Sequence, residues 1–369
     1  MASGWERSWD KGAREWAQEV FNGRQVVSIE GGLSSSQTKE VFEILDEFPL
    51  VLVDADSRGN MYAIPSLRRF TRAFGFEPDA EECARLNADS ATLEGHKSVE
   101  HVPMALARTP GPVTLNICKN PNNTSFLMPN EPLLDRIILA GYDPRNEFPV
   151  VGTFECEATT IDEFMADKKL PYLDFIKLDT QGSELDIIEG GEKTFGETLL
   201  AATIEVEFKQ LYSDQPLFRD VDRRMASLGF SLASLVPINA VRREIGETVY
   251  DREEIAYAEA LYVREAFEAS TFLADADRST ILRFVLLLEG LGLVGYAVDI
   301  AVAAAAQNLD DAGLFRSIKT AIISRNERPS KSAARRASVA AGLHSFARRA
   351  YSLMPSPIQM LYRQSPLKK

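Results

Sequence analysis

Cysteine is scarce in this chain, and the three present, Cys83, Cys118 and Cys156, stand far apart. No CxxC pair and no Cys/His spacing joins them, which excludes a disulfide framework and a zinc-ribbon or zinc-finger site. No metal site is expected. Histidine is equally rare: His96, His101 and His344 fall at no expected strand end, so none is assigned as a base. No G-x-G-x-x-G follows the first expected strand, which speaks against a dinucleotide fingerprint. The amino terminus lacks the uninterrupted apolar stretch of a signal peptide, since Trp5, Glu6, Trp9, Asp10 and Lys11 interrupt it; a reducing, cytoplasmic setting is expected. Positive charge is short too. A net charge of -13 opposes phosphate backbones, so nucleic acid is not an expected partner.

What is present is an ordinary globular composition, 45% hydrophobic and 26% charged, on a chain of 369 residues, long enough for one large domain with appendages. Residues 1–37 read as an amphipathic helix and linker, because Trp5, Trp9, Ala13, Trp16 and Val20 share one helical face. Residues 38–267 open with a helix over Thr38–Glu47. Strand-like runs then alternate with helical ones: Pro49–Asp54, Ala73–Glu77, Val99–Ala107, Val113–Cys118, Phe175–Asp179 and Ala202–Phe208. Gly229–Leu235 and Ala258–Arg264 read as an antiparallel pair closing one edge. Short apolar runs separated by helix-length segments predict a doubly wound α/β sheet, parallel apart from that pair.

Residues 268–324 are helical throughout. Ile281–Ala306 has the length of a bilayer span, but Arg283, Glu289 and Asp299 lie inside it and Gly290, Gly292 and Gly295 divide it, so a helical hairpin is expected. Residues 325–369 form a basic tail with ten Lys or Arg against the single acid Glu327. Val339, Leu343, Phe346, Ala350 and Met354 form a helical stripe beside Arg335, Arg336, Arg348 and Arg349. That makes the tail a candidate for peripheral contact with the inner face of an anionic membrane, beside the alternative of a flexible tail without a partner.

In a doubly wound sheet the ligand lies outside the carboxyl ends of the strands, where strand order reverses. The first such end holds Asp54, Asp56 and Gly59. The second carries Glu77, whose carboxylate at that place suits two ribose hydroxyls. Asp179 ends a later strand, with Gln181 and Gly182 in the turn and Glu184 one helical turn on; an acid here also caps a helix. Glu205 and Glu207 alternate along one side of an otherwise apolar strand, an expensive placement for two carboxylates without a task. Asn123 and Ser125 lie in a polar loop suited to sugar hydroxyls, though turn composition explains it equally well.

Several blocks occur in order: Phe76-Glu-Pro-Asp79, Thr160-Ile-Asp-Glu-Phe164, Asp174 to Gly191, Ile204-Glu-Val-Glu-Phe208, Leu211 to Phe218, and Gly229-Phe-Ser-Leu232. Together they resemble the FkbM family of S-adenosylmethionine-dependent methyltransferases over roughly residues 50–265. The resemblance implies a class I, Rossmann-like methyltransferase fold with a C-terminal helical appendage, S-adenosyl-L-methionine as cofactor, and O-methylation of a sugar hydroxyl in a polysaccharide, glycolipid or related metabolite. By the same likeness Glu77 binds ribose, the Asp54–Asn60 loop (with Asp56 and Gly59) faces the methionine part, and Asp179 and Glu184 lie at the transfer site; from the residues themselves, Asn123, Ser125, Gln181, Glu205 and Glu207 are the expected contacts of a glycan or glycolipid acceptor. One departure stands out: Asp56 replaces the glycine usual in the first loop and Asn60 a second, adding bulk and, at Asp56, charge. A catalytically inactive scaffold of the same fold is therefore the alternative expectation.

Overall fold

The structure, a computed structural model, describes residues 31–55, 61–89, 95–139, 141–244, 253–267, 270–307 and 313–327. The Trp-bearing N-terminal helix, Asp56 and Gly59 of the first loop, and the basic tail beyond residue 327 lie outside the described residues. The described residues up to Ile322 belong to one unit; of the second, only 323–327 are described, the end of the last helix and the two residues after it.

The strands are β1 (Leu50–Asp54), β2 (Thr71–Phe76), β3 (Ser98–Val102), β4 (Ala105–Leu106), β5 (Gly111–Cys118), β6 (Ile137–Leu139), β7 (Val150–Thr159), β8 (Phe175–Leu178), β9 (Ala201–Glu207), β10 (Phe230–Arg242) and β11 (Glu254–Arg264). Eight of them make one sheet in the order β3-β2-β1-β8-β9-β11-β10-β6. β3, β2, β1, β8 and β9 run parallel, and β11 joins antiparallel to β9. Chain order reverses between β1 and β8, so the crevice predicted for a ligand opens above Asp54 and Leu178.

Both faces of the parallel part are covered, as βαβ crossovers require. Along β1, Leu50 and Leu52 face one core while Val51 and Val53 face the other. The first core is closed by α1 (Ser35–Glu47) and by the late helices α7 (Arg278–Gly290), α8 (Val294–Ala306) and α9 (Leu314–Arg325), through Val41, Leu45, Leu282, Val285, Ala297, Ile300, Phe315 and Ile318. The second is closed by α3 (Ile161–Asp167), α4 (Glu184–Gly190), α5 (Glu192–Glu197) and α6 (Phe218–Ser227); α2 (Ala80–Ala88) packs beside β3. Phe164 of α3 meets Phe74 and Phe76 edge-on at 5.3 and 4.9 Å. α7 is buried from Ile281 to Glu289, which is why its composition approaches that of a bilayer span. Gly292, at φ +84°, lies in the short link that separates it from α8, whereas Gly290 ends α7 and Gly295 lies inside α8. Among the described residues no helix is long and apolar enough to cross a membrane.

Three expectations are corrected by the backbone. Val99–Ala107 is not one strand: it breaks after Val102, where Met104 N donates to Val102 O at 2.9 Å, and Ala105–Leu106 leaves the main sheet. Val113–Cys118 lies inside β5, which pairs antiparallel with β7 in a separate three-stranded sheet, β4-β7-β5. The β10/β11 pair is antiparallel as expected but is not the edge, because β6 adds beyond it through Ile138 opposite Val241. The excursion from Ala107 to Thr160 thus leaves on the β3 side of the molecule and reaches the opposite edge.

Below the sheet, Asp174 precedes β8 and is fully buried. Its Oδ2 accepts from Val51 N at 2.8 Å and its Oδ1 meets Arg283 Nε at 2.9 Å, while the guanidinium lies 3.8 Å from the Tyr172 ring centroid. Burial pushes the Asp174 carboxyl up, and Arg283 opposes that shift. Removing one partner of such a pair leaves an uncompensated buried charge. Arg283→Met should therefore cost about 3 to 5 kcal/mol in denaturant unfolding, and Asp174→Asn in the same chain should recover part of it; equal stability of Arg283→Met and wild type would refute the assignment.

Candidate active site

Asp54, the last residue of β1, is 1% exposed, and its Oδ2 accepts from Tyr62 N at 2.7 Å. Ala55 N donates to Lys177 O at 3.0 Å, which fixes the end of β1 against the end of β8. The Tyr62 ring stacks on Phe175 with centroids 5.0 Å apart. Glu77, just past β2, is buried, and its Oε1 accepts from Asp79 N at 2.9 Å. Beside it on β3 stands His101, 3% exposed, with both ring nitrogens buried and without a partner among the described residues; burial lowers its pKa, so the imidazole is neutral.

The turn after β8 is built by its own residues. Gln181 adopts φ +59° and Gly182 φ +110°. Glu184 reaches back to accept from Thr180 N at 2.7 Å and Gly182 N at 3.0 Å, and from the Thr180 hydroxyl at 3.0 Å. Both oxygens of this buried carboxylate are thereby taken by the turn. At Gly182 a Cβ would come within 2.9 Å of Gln215 Nε2 and 3.0 Å of Leu127 Cδ1, so glycine is needed for space as well as for φ.

The turn presents a network of charge. Lys177 Nζ lies 3.0 Å from Asp179 Oδ2, and the Asp179 side chain keeps 29% of its surface exposed. Gln181 Nε2 donates to Asp179 Oδ1 at 2.9 Å and to Glu205 Oε1 at 2.8 Å. Burial opposes the charge on Asp179, but the Lys177 ammonium, Gln181 and Glu205 outweigh it and hold that carboxyl below its ordinary value. Glu205 is pushed well up by burial and then by repulsion from Asp179 and Glu184. The pair therefore divides the work: Asp179 carries the charge and Glu205 the proton. Glu207 is 2% exposed and is also pushed well up, by burial and then by Glu184 and Glu205.

The excursion supplies the wall over this turn. Ser125, 1% exposed, donates from Oγ to Gln181 O at 2.6 Å and accepts from Leu127 N at 3.0 Å. Tyr212 Oη lies 2.8 Å from Asn123 O and 3.1 Å from Gln181 Oε1. Carboxylates, a carboxyl, an amide and hydroxyls thus converge at the reversal of strand order.

Residues 63–232 match the family model for the methyltransferase FkbM domain. This part of the chain is an FkbM methyltransferase domain. No curated protein matches the chain in sequence. Among solved structures, magnesium protoporphyrin IX methyltransferase from Synechocystis PCC 6803 with bound SAM is similar at 11% identity and a TM-score of 0.29, over 70% of this chain and 95% of that chain. TrmK from M. capricolum in complex with S-adenosyl-homocysteine is similar at 10% identity and a TM-score of 0.28, over 79% and 98%. Likenesses this distant say nothing of substrate. Strand order, not resemblance, locates the crevice.

Around that crevice the FkbM domain brings Asn123, Ser125, Gln181, Asp179 and Glu205 into one network, while Asp54 ends β1 and Glu77 follows the end of the neighbouring β2. Glu184 and Glu207 are buried beside the network, and Glu184 is engaged by the turn. Sequence reasoning missed Tyr212 and Tyr62. A Tyr inside the Leu211–Phe218 block was the available signal for the first; nothing in pattern or spacing marked the second. Gly182→Ala should destabilise the FkbM domain by about 1 to 3 kcal/mol through backbone strain and crowding. Gly152→Ala, where a Cβ meets nothing within 4 Å, is its control; equal thermal unfolding of the two variants would show the turn to be unstrained.

Proposed function

We propose that the FkbM domain moves a methyl group from S-adenosylmethionine to a hydroxyl of a sugar or sugar-like acceptor, as part of a polysaccharide, glycolipid or related metabolite. The observation that carries this reading is the ionised, partly exposed Asp179 held between Lys177 and Gln181 at the reversal of strand order, under a wall that brings Asn123 and Ser125 to the same turn.

The residues at the first two strand ends fit the cofactor. Buried Glu77 offers a carboxylate for ribose hydroxyls. The orphaned nitrogens of His101 beside it offer a neutral donor and acceptor that nothing among the described residues uses. Asp54, at the end of β1, places negative charge toward the ammonium and sulfonium side. S-adenosylmethionine, when bound, would supply a methyl group on a positively charged sulfur.

Asp179 then has two tasks. Its carboxylate orients the acceptor hydroxyl by accepting its hydrogen bond, which is positional catalysis. As the new C–O bond forms and the S–C bond breaks, the hydroxyl proton becomes strongly acidic and passes to an Asp179 oxygen. A carboxylate held below its ordinary pKa is a weak base, so it serves this late proton transfer rather than prior removal of an alcohol proton. Lys177 keeps it charged until then. Glu205, protonated, gives its proton to the hydrogen bond with Asp179 and helps to keep that carboxylate charged. Glu184 shapes the turn that presents these groups.

Calorimetric titration with S-adenosylmethionine and methyl transfer to host glycan fractions test the reading. Glu77→Ala should weaken cofactor binding at least about tenfold, the loss of one charge-assisted pair of hydrogen bonds. Asp179→Asn should leave cofactor affinity within about threefold but slow transfer about 10²- to 10⁴-fold, the usual worth of a positioned proton acceptor. A wild-type protein that neither binds S-adenosylmethionine nor methylates any fraction would overturn the reading in favour of an inactive scaffold.

A further inference from the structure

We propose that Tyr212 is a positioning residue for Asp179: its hydroxyl proton goes to Gln181 Oε1 and so orients the amide with both Nε2 protons toward Asp179 and Glu205. The inference rests on the role given to Asp179 above, but it concerns the protonation of that residue and can be tested without any acceptor.

A glutamine amide fits its cavity in two orientations related by a half turn, with opposite hydrogen-bonding character at each end. With Nε2 inward, Gln181 donates to Asp179 Oδ1 at 2.9 Å and Glu205 Oε1 at 2.8 Å. With Oε1 inward, an acceptor faces the Asp179 carboxylate, which Lys177 at 3.0 Å keeps charged. What selects between the two lies at the other end. Tyr212 has one hydroxyl proton and two acceptors in reach, Asn123 O at 2.8 Å and Gln181 Oε1 at 3.1 Å. If the proton points at Asn123 O, the phenol oxygen turns lone pairs toward Gln181 and favours the half-turned amide. When it points at Gln181, the inward donors are enforced.

The tyrosine is built to hold that position. It is 0% exposed, its ring packs on Phe148 at 5.6 Å, and its backbone N donates to Gln215 Oε1 at 3.1 Å. Gln181 is fixed as firmly, by φ +59° and by Ser125 Oγ on its carbonyl at 2.6 Å. The amide torsion is what remains free. Around Asp179 stand Lys177 from its own strand, Glu205 and Glu207 from β9, Tyr257 and Glu259 from β11, and Glu184 from α4. Burial disfavours charge on Asp179; Lys177, the Gln181 N–H and the hydrogen bond to Glu205 favour it. Removing the N–H raises the Asp179 pKa.

The full chain, labelled with ¹³C at aspartate carboxyls and assigned through Asp179→Asn, is titrated by NMR as wild type, Tyr212→Phe, Gln181→Gly and the double variant. Gln181→Gly accepts the left-handed backbone and deletes the amide. Expected are an upward shift of the Asp179 titration by about 0.5 to 1 unit in Tyr212→Phe, one hydrogen bond's worth, at least as large a shift in Gln181→Gly, and no further shift when both changes are combined. Superimposable wild-type and Tyr212→Phe curves would sink the proposal, as would an additive double variant, which would mean that Tyr212 acts other than through Gln181. Should Tyr212→Phe lose its fold, an Asp179 titration in Gln181→Gly unshifted from wild type is the overturning result. A shifted Asp179 in a protein that fails to bind S-adenosylmethionine would uphold this inference and refute the methyltransferase reading.

Discussion

Asp174 and Arg283 meet beneath the two strands on which everything above depends. The Asp174 side chain holds the start of β1 through Val51 N, its backbone N donates to Val51 O, and its carbonyl accepts from Leu200 N and Ala201 N at the start of β9. One residue thereby sets β1, β8 and β9 in register, and Arg283 brings the late helices onto the same point. Because the strands are parallel, a register fixed at their lower ends is delivered at their upper ends, where Asp54 and Asp179 stand. The pair costs desolvation that a hydrophobic contact would not. Its return is geometric rather than energetic.

At the upper ends the governing constraint is repulsion. Asp179, Glu184, Glu205, Glu207 and Glu259 crowd around one ammonium, Lys177, and they cannot all ionise. Three of them have separate answers, Asp179 the ammonium, Glu184 the turn amides and Glu205 a proton, while burial pushes Glu207 and Glu259 up. Asp179 thus keeps both its charge and part of its surface, held by Lys177 and the Gln181 N–H.

Strand ends were legible in the sequence because parallel, doubly covered strands read as unbroken apolar runs closed by an acid, as at Pro49–Asp54 and Phe175–Asp179. Glu77 and Asp179 followed from that alone. The second sheet was only half legible: Val113–Cys118 alternates in a way that suits either sheet, while Thr153–Glu157 does carry a strand period, with Phe154 and Cys156 less exposed than Glu155 and Glu157, but nothing in it names its partner β5. Glu184 looked catalytic because an acid one turn into a helix after a strand can point either way, and here it points back at its own turn. The Thr160–Phe164 block belongs to architecture. Thr160 caps α3, Asp162 accepts from Lys193 N and Thr194 N at the start of α5, and Phe164 fills the core under β2. Tyr212 could not be placed from the sequence, since its partner Gln181 lies 31 residues away.

The position of β1 between β2 and β8 also governs when the chain can fold. β1 and β2 are neighbours in sequence, but the other side of β1 waits for Asp174, 123 residues after Val51, and Asp174 waits a further 109 residues for Arg283. Contacts of such separation form late, because loop closure must precede them. A nascent chain has therefore made the whole excursion and the carboxylate-bearing turn before the helices that complete their support exist. Synthesis past α7 is the step that commits the site to its final shape.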